Sequence, residues 1–85
     1  MKYKLFIERA ANKELSKISH KEQTRIINAI KNLSDNPRPA GVKKLTGRDA
    51  WRIRIGSYRI IYEIQDDNLV ILVVHIGHRK DIYCK

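Results

Sequence analysis

Three arginines, Arg52, Arg54 and Arg59, are the residues of this chain whose types and spacing point most directly to chemistry. They lie in the run Trp51-Arg52-Ile53-Arg54-Ile55-Gly56-Ser57-Tyr58-Arg59-Ile60-Ile61-Tyr62-Glu63-Ile64, where apolar and polar residues alternate with period two on either side of Gly56-Ser57. A two-residue type II′ turn suits Gly-Ser, because glycine takes the first central position with positive φ. That turn pairs Ile55 with Tyr58, Arg54 with Arg59, and Arg52 with Ile61, so the three guanidinium groups gather on one face of a hairpin. Like charges directly opposite one another destabilise a strand pair, and acid nearby is scarce apart from Glu63. An anion held by planar guanidinium forks offsets that cost, and phosphate matches the fork geometry. A face that served only solubility would mix signs.

A second group of functional side chains follows in His75-Ile76-Gly77-His78-Arg79-Lys80-Asp81-Ile82-Tyr83. Imidazole transfers protons near neutrality, a phenol can stack on a base or pass a proton, and arginine stabilises a pentavalent phosphate. His78, Arg79, Lys80 and Tyr83 are therefore expected to join the arginine face, with Lys43, Lys44 and Arg48 extending it as RNA-binding cations. His20 sits at an expected helix start and reads as a surface residue. No metal-binding spacing, P-loop or Ser/His/Asp arrangement is visible, and no cofactor is expected.

The elements that must position these residues follow from periodicity. Tyr3 to Ile7 is rich in β-formers and reads as a first strand, after which Ala11, Leu15 and Ile18 recur at helical spacing. Ser19-His20-Lys21-Glu22 has the Ser-x-x-Glu form of a capping box, so a second helix begins there, with Ile26, Ile27, Ile30 and Leu33 as its stripe. Asn36-Pro37-Arg38-Pro39 ends it, and a polar, basic loop runs to Gly47. Two half-buried strands form the arginine hairpin, and Asp66-Asp67-Asn68 marks the next turn. Leu69 to Val74 is apolar on both faces and reads as an interior strand, which places the first strand beside it. The expected architecture is α+β over residues 1–85 as one domain: an N-terminal strand, a two-helix hairpin, then an antiparallel three-stranded meander, with both helices on one face of a four-stranded sheet.

Composition narrows the partners. Eighteen Lys and Arg against nine Asp and Glu leave a formal charge of +9 on 85 residues, a field that attracts polyanions. Seven basic residues (Arg38, Lys43, Lys44, Arg48, Arg52, Arg54, Arg59) and one acid (Asp49) fall between Arg38 and Arg59, so most of the excess charge lies around the hairpin. The longest apolar run, Leu69 to Val74, is far shorter than a membrane span, and the N-terminus reaches charge too early for a secretory apolar region. A cytoplasmic protein with no membrane association is expected. The single cysteine, Cys84, cannot form an internal disulfide and is assigned no role.

The hairpin residues, together with Asn32-Leu33 through Pro37, Gly41-Val42-Lys43-Lys44-Leu45 and Val74 through Tyr83, resemble the RelE branch of the RelE/ParE toxins. The resemblance spans nearly the whole chain. Its most specific part is the arginine hairpin followed by Gly-x-Arg and a terminal tyrosine. It implies the toxin of a type II toxin–antitoxin system, with a RelB-like cognate antitoxin as partner and DNA contacted only indirectly through the toxin–antitoxin complex. The implied activity is a metal-independent, ribosome-dependent endoribonuclease (mRNA interferase) that cleaves mRNA in the A site. In it the ribose 2′-oxygen attacks the adjacent phosphate and leaves a 2′,3′-cyclic phosphate, and translation stops. Arg52, Arg54, Arg59, Arg79 and Tyr83 fall on the family's catalytic positions. Arg59 and Arg79 would stabilise charge at the phosphate, Arg79 near the leaving oxygen, and Tyr83 would orient or stack on the substrate.

Family members similar to this one carry lysines where this chain has Arg52 and Arg54, and an arginine does not give up its proton to act as a base. Tyr83, His78, or no dedicated base at all are the alternatives left open. Two rival functions share the fold or the charge. One is a ParE-type inhibitor of DNA gyrase without nuclease activity, and the other a non-catalytic RNA-binding module. The latter lacks interleaved aromatics, since Trp51, Tyr58 and Tyr62 point to the core face.

Overall fold

The computed structural model describes residues 2–47 and 49–78. Arg48, Arg79, Lys80 and Tyr83, all named above as site residues, lie outside the described residues.

The chain forms β1 (Lys4–Ile7), α1 (Arg9–Ser16), α2 (His20–Leu33), β2 (Lys43–Lys44), β3 (Ala50–Ile55), β4 (Tyr58–Gln65) and β5 (Val70–His78). In α1, Ala11 and Leu15 stand one turn apart and are both buried. The helix stops at Ser16, so Ile18 lies just beyond it while still packing on the core. Gln23 reaches back from α2 and donates from Nε2 to the Ile18 carbonyl at 2.8 Å, satisfying a backbone acceptor between the helices. Ser19 occupies the N-cap of α2, but the capping box does not form. The Ser19 side chain makes no capping hydrogen bond, and Glu22 Oε1 instead accepts from Arg25 Nη1 at 3.1 Å. Ile26, Ile30 and Leu33 give α2 its buried stripe.

The sheet order is β1-β5-β4-β3-β2. The first strand does lie beside the last, in parallel, with Lys4 opposite Val70 and Ile7 opposite Val73. The remaining pairs are antiparallel. The sheet has five strands and not four, because the two-residue β2 pairs Lys43 with Arg52 and Lys44 with Trp51. Two residues inside a polar loop carry no period by which a strand could be read.

Both helices cover one face of the sheet. The core there joins Ile60, Tyr62, Ile71, Val73 and Ile76 of the sheet to Ala11, Leu15, Ile26, Ile30 and Leu33 of the helices. Each fully buried isoleucine or leucine contributes roughly 1.5–3 kcal/mol. Tyr62, also fully buried, donates from its hydroxyl to the Pro37 carbonyl at 2.7 Å and so ties the loop after α2 to the central strand. Burial pushes its phenol up to about 12.

A polar clasp closes the same loop against the turn between β4 and β5. Asp66 accepts from Tyr3 Oη at 2.7 Å and from Arg38 Nη2 at 3.0 Å, and the Arg38 guanidinium lies over the Trp51 ring, 5.0 Å from its centroid. These partners hold the Asp66 carboxyl below the usual carboxylate range, Arg38 contributing most. Lys44 Nζ sits 5.9 Å from the same ring. Trp51 is therefore a half-buried residue under two cations at the rim of the core rather than a fully buried one.

Candidate nucleic-acid interface

The β3–β4 hairpin forms as its residues dictate. Gly56 has φ of 58°, the left-handed value needed at the first central position of a type II′ turn. Ile55 faces Tyr58, Arg54 faces Arg59 and Arg52 faces Ile61. Above the turn, a Cβ built on Gly56 would lie 3.3 Å from Arg25 Nη1, so α2 brings another cation to the hairpin tip.

Alternation along the strands divides the side chains cleanly. Trp51, Ile53, Ile55, Tyr58, Ile60, Tyr62 and Ile64 face the helices and pack on the core. Arg52, Arg54, Arg59, Ile61 and Glu63 take the opposite face. Lys43, directly across from Arg52, joins them. Two adjacent rungs thus carry two opposed cation pairs, Lys43 with Arg52 and Arg54 with Arg59. Glu63 stands four residues along β4 from Arg59, roughly 13 Å away at the usual strand rise. A cleft of about 340 Å³ lined by Ala40, Gly41, Lys43, Arg52, Ile53 and Arg54 opens beside these rungs.

The four cations are not equivalent. Arg54 and Lys43 are exposed and Arg52 is half-buried, but Arg59 is fully buried. Alternation gives the face of a side chain and not its depth. Arg59 sits on the central strand with Arg54 opposite on one side and Gly77 on the other. Its reading as a simple surface cation is corrected accordingly: its removal would disturb packing as well as charge.

Lys44 and His78 do not join this face. Lys44 pairs with Trp51 on the helix side and lies 3.7 Å from Asp49. His78 stands opposite Tyr58, its ring edge-on to the tyrosine with centroids 5.6 Å apart. The cause is a β-bulge. Ile61 pairs with His75 but Tyr62 pairs with Val73, so β5 carries one extra residue, Val74, at that point. Beyond the bulge the parity of β5 inverts. Ile71 and Val73 face the core before it, and Ile76 after it. His75 and Gly77 consequently turn to the cationic face, and His78 to the helix side. An ideal Cβ on Gly77 would lie 2.8 Å from His75 Nε2, so the imidazole fills the space that a side chain at 77 would take. His75 opens the second group of functional side chains read from the sequence but was not carried into the expected site. Residues 69–74 are apolar at every position, so no alternation in the sequence marked the slip.

Among the described residues no group of three His, Cys, Asp or Glu side chains is placed to hold a metal ion.

A protein-family model described as the ParE toxin of type II toxin-antitoxin system, parDE, matches residues 5–83. A protein of Escherichia coli that bears the name of a RelE-like toxin is 29% identical over 87 residues, covering 98% of this chain and 92% of that one. The archaeal RelE–RelB complex from Pyrococcus horikoshii contains a chain that superposes with a TM-score of 0.84 at 28% identity, covering 93% of this chain and 97% of that one. A chain of the intact E. coli RelBE toxin–antitoxin complex gives 0.78 at 28% identity, covering 89% and 95%. With the family model spanning nearly all of the sequence, and with this sheet and hairpin common to the solved relatives, the chain belongs to the RelE/ParE superfamily of toxins of type II toxin–antitoxin systems.

Proposed function

We propose that this toxin is a ribosome-dependent endoribonuclease that cleaves mRNA by attack of a ribose 2′-oxygen on the adjacent phosphate, leaving a 2′,3′-cyclic phosphate. The observation that carries the proposal is the pair of opposed cation rungs, Lys43 with Arg52 and Arg54 with Arg59, on the sheet face opposite the helices. Opposed like charges weaken the strand pairs, whereas a phosphodiester converts each repulsion into an attraction. Guanidinium groups meet the charge that develops on the phosphorus oxygens, so the reaction needs no metal. Arg79 and Tyr83 complete the set by family resemblance, and Arg48 and Lys80 add phosphate contacts. A RelB-like antitoxin neutralises the toxin, in keeping with the complexes in which its solved relatives occur. The toxin acts in the cytoplasm.

The test is primer extension and end-group analysis of mRNA on programmed ribosomes. Wild-type protein is expected to give cuts ending in 2′,3′-cyclic phosphate. Arg54→Gln should lower the rate by about a hundredfold, the loss of ~3 kcal/mol of charge stabilisation. Uncut mRNA in the presence of folded protein would sink the proposal.

A second reading draws on the family model itself, which is that of ParE toxins. In that reading the cationic face binds DNA gyrase and no RNA is cut. Induced expression separates the two, since a translation block comes first for the nuclease and DNA damage signalling for the gyrase inhibitor.

A further inference from the structure

We infer that His75 is the general base of this toxin, accepting the 2′-hydroxyl proton at Nε2; the inference rests on the nuclease reading above. The group needed is one that exchanges a proton near neutral pH and lies among the cations that hold the phosphate. Arginine cannot be that group. His75 is the histidine that the fold turns to the right face, and it gets there because of a specific irregularity: the extra residue Val74 in β5 inverts the strand's parity just before it. Bulges re-aim side chains beside active sites, and without this one His75 would point into the core beneath the helices.

Two further features locate its ring. The rung Lys43–Arg52–Ile61–His75 runs straight across four strands, so the imidazole lies in line with two of the phosphate-binding cations. Its Nε2 lies 2.8 Å from the place of an absent Cβ at Gly77. Gly77 is directly opposite Arg59, so the imidazole occupies the space of the rung that carries Arg54 and Arg59. Glycine at 77 is what leaves room for the ring. Among the described residues, the charged groups on the elements around it are Arg59 and Glu63 on β4, Arg52 on β3, Lys43 on β2 and Glu8 just past the end of β1.

In the step itself, Nε2 takes the proton as the 2′-O–H bond breaks and the 2′-oxygen bonds to phosphorus. The bond from phosphorus to the 5′-oxygen breaks, and the departing oxygen takes a proton from solvent water. The products are a 2′,3′-cyclic phosphate and a 5′-hydroxyl, and the imidazolium returns its proton to the hydroxide left in solvent. Arg52 and Arg54 hold the phosphorus oxygens throughout, and the buried Arg59 adds its positive field beneath them.

The experiment is single-turnover cleavage on programmed ribosomes across pH, with binding of the same RNA measured separately. His75→Gln is expected to cleave about 100-fold more slowly and to change the pH profile of the rate, while binding RNA within about twofold of wild type. His75→Ala should regain part of the rate on addition of imidazole. Gly77→Ala keeps the histidine but puts a methyl group where Nε2 lies, and a drop of roughly tenfold or more is expected, which decides the matter if the His75 variants fail to fold. His20→Gln, on the exposed start of α2, is the control for histidine loss as such. Full rate with an unchanged pH profile in folded His75→Gln overturns the assignment. So does a loss that leaves the pH profile intact, or an unimpaired Gly77→Ala. If wild-type protein itself yields no cyclic phosphate, the nuclease reading fails first, and the two failures are distinct.

Discussion

Arg59 joins folding and chemistry in one side chain, and the choice of substitution has to respect that. Truncation to alanine leaves a void where a long, fully buried side chain lay, at a cost of about 2–4 kcal/mol of stability. Arg54→Ala, at the exposed position directly opposite, should change stability by less than about 0.5 kcal/mol. Urea denaturation of the two variants checks this. Equal stabilities would mean that Arg59 is not packed as described. Cleavage assays should therefore use Arg59→Lys, which keeps the stem and charge while losing the fork. Tyr62 gives a separate handle. Its phenol ionises at pH 10 when unfolded and at about 12 when folded, so the folded state holds more protons between those values. By linkage, the stability due to Tyr62 is complete below pH 10 and is lost as pH rises towards 12. Tyr62→Phe should lower stability at pH 7 by roughly 1 kcal/mol, through loss of the bond to Pro37, and should flatten this alkaline decline. An identical decline in the variant would assign it to other groups.

Among the elements, the β3–β4 hairpin is the one on which the site depends, and its turn is the place to test it. Gly56→Ala forces an L side chain into the left-handed region, costing about 1–2 kcal/mol, and brings a methyl group against the Arg25 guanidinium. Thermal melts should register the loss, and cleavage should fall with it as Arg54 and Arg59 drift out of register. Activity unchanged despite the lower melting point would mean that the register does not matter. This hairpin was legible in the sequence because a two-residue turn and strict alternation fix every partner. The place of β1 beside β5 followed equally from an apolar run that needed cover on both edges. The features not legible each have a physical reason. Lys43-Lys44 is too short to show a period, and the Ser19–Glu22 box lost its glutamate to Arg25. The bulge at Val74 slips parity by one within a run that is apolar on both faces, where alternation is silent. The two histidines exchanged faces for that reason, and Arg59 went from surface to interior because pattern records side and not depth.

The whole molecule carries +9, a field that attracts polyanions, and the proposed RNA contacts fall within it. If Lys43, Arg52 and Arg54 each neutralise one phosphate of a single strand, the logarithm of affinity should fall against that of salt with a slope of roughly −2. Lys43→Ala should reduce the slope by about 0.7. Fluorescence anisotropy with a short single-stranded RNA over a salt series measures both, and a slope near zero would remove the face from consideration. Acid acts on the opposite side of the molecule. Asp66 is held below its ordinary range by Arg38 and Tyr3, so its contribution to stability is present above the unfolded carboxylate range and is lost as pH falls through the folded value. Asp66→Asn should shed that acid-side dependence, a small effect for a group so exposed.

The parallel pairing of Lys4–Ile7 with Val70–Val73 also sets the order of events during synthesis. The strand at residues 4–7 is made well before its partner at residues 70–73 and waits for it. Until then β5 is missing from the middle of the sheet, β4 has no neighbour on that side, and the histidine rung cannot assemble. Long-range pairings of this kind are slow to close, since the chain must give up its loop entropy before any contact compensates. A chain that has not yet made residues 70–78 therefore holds no finished sheet and no completed histidine rung.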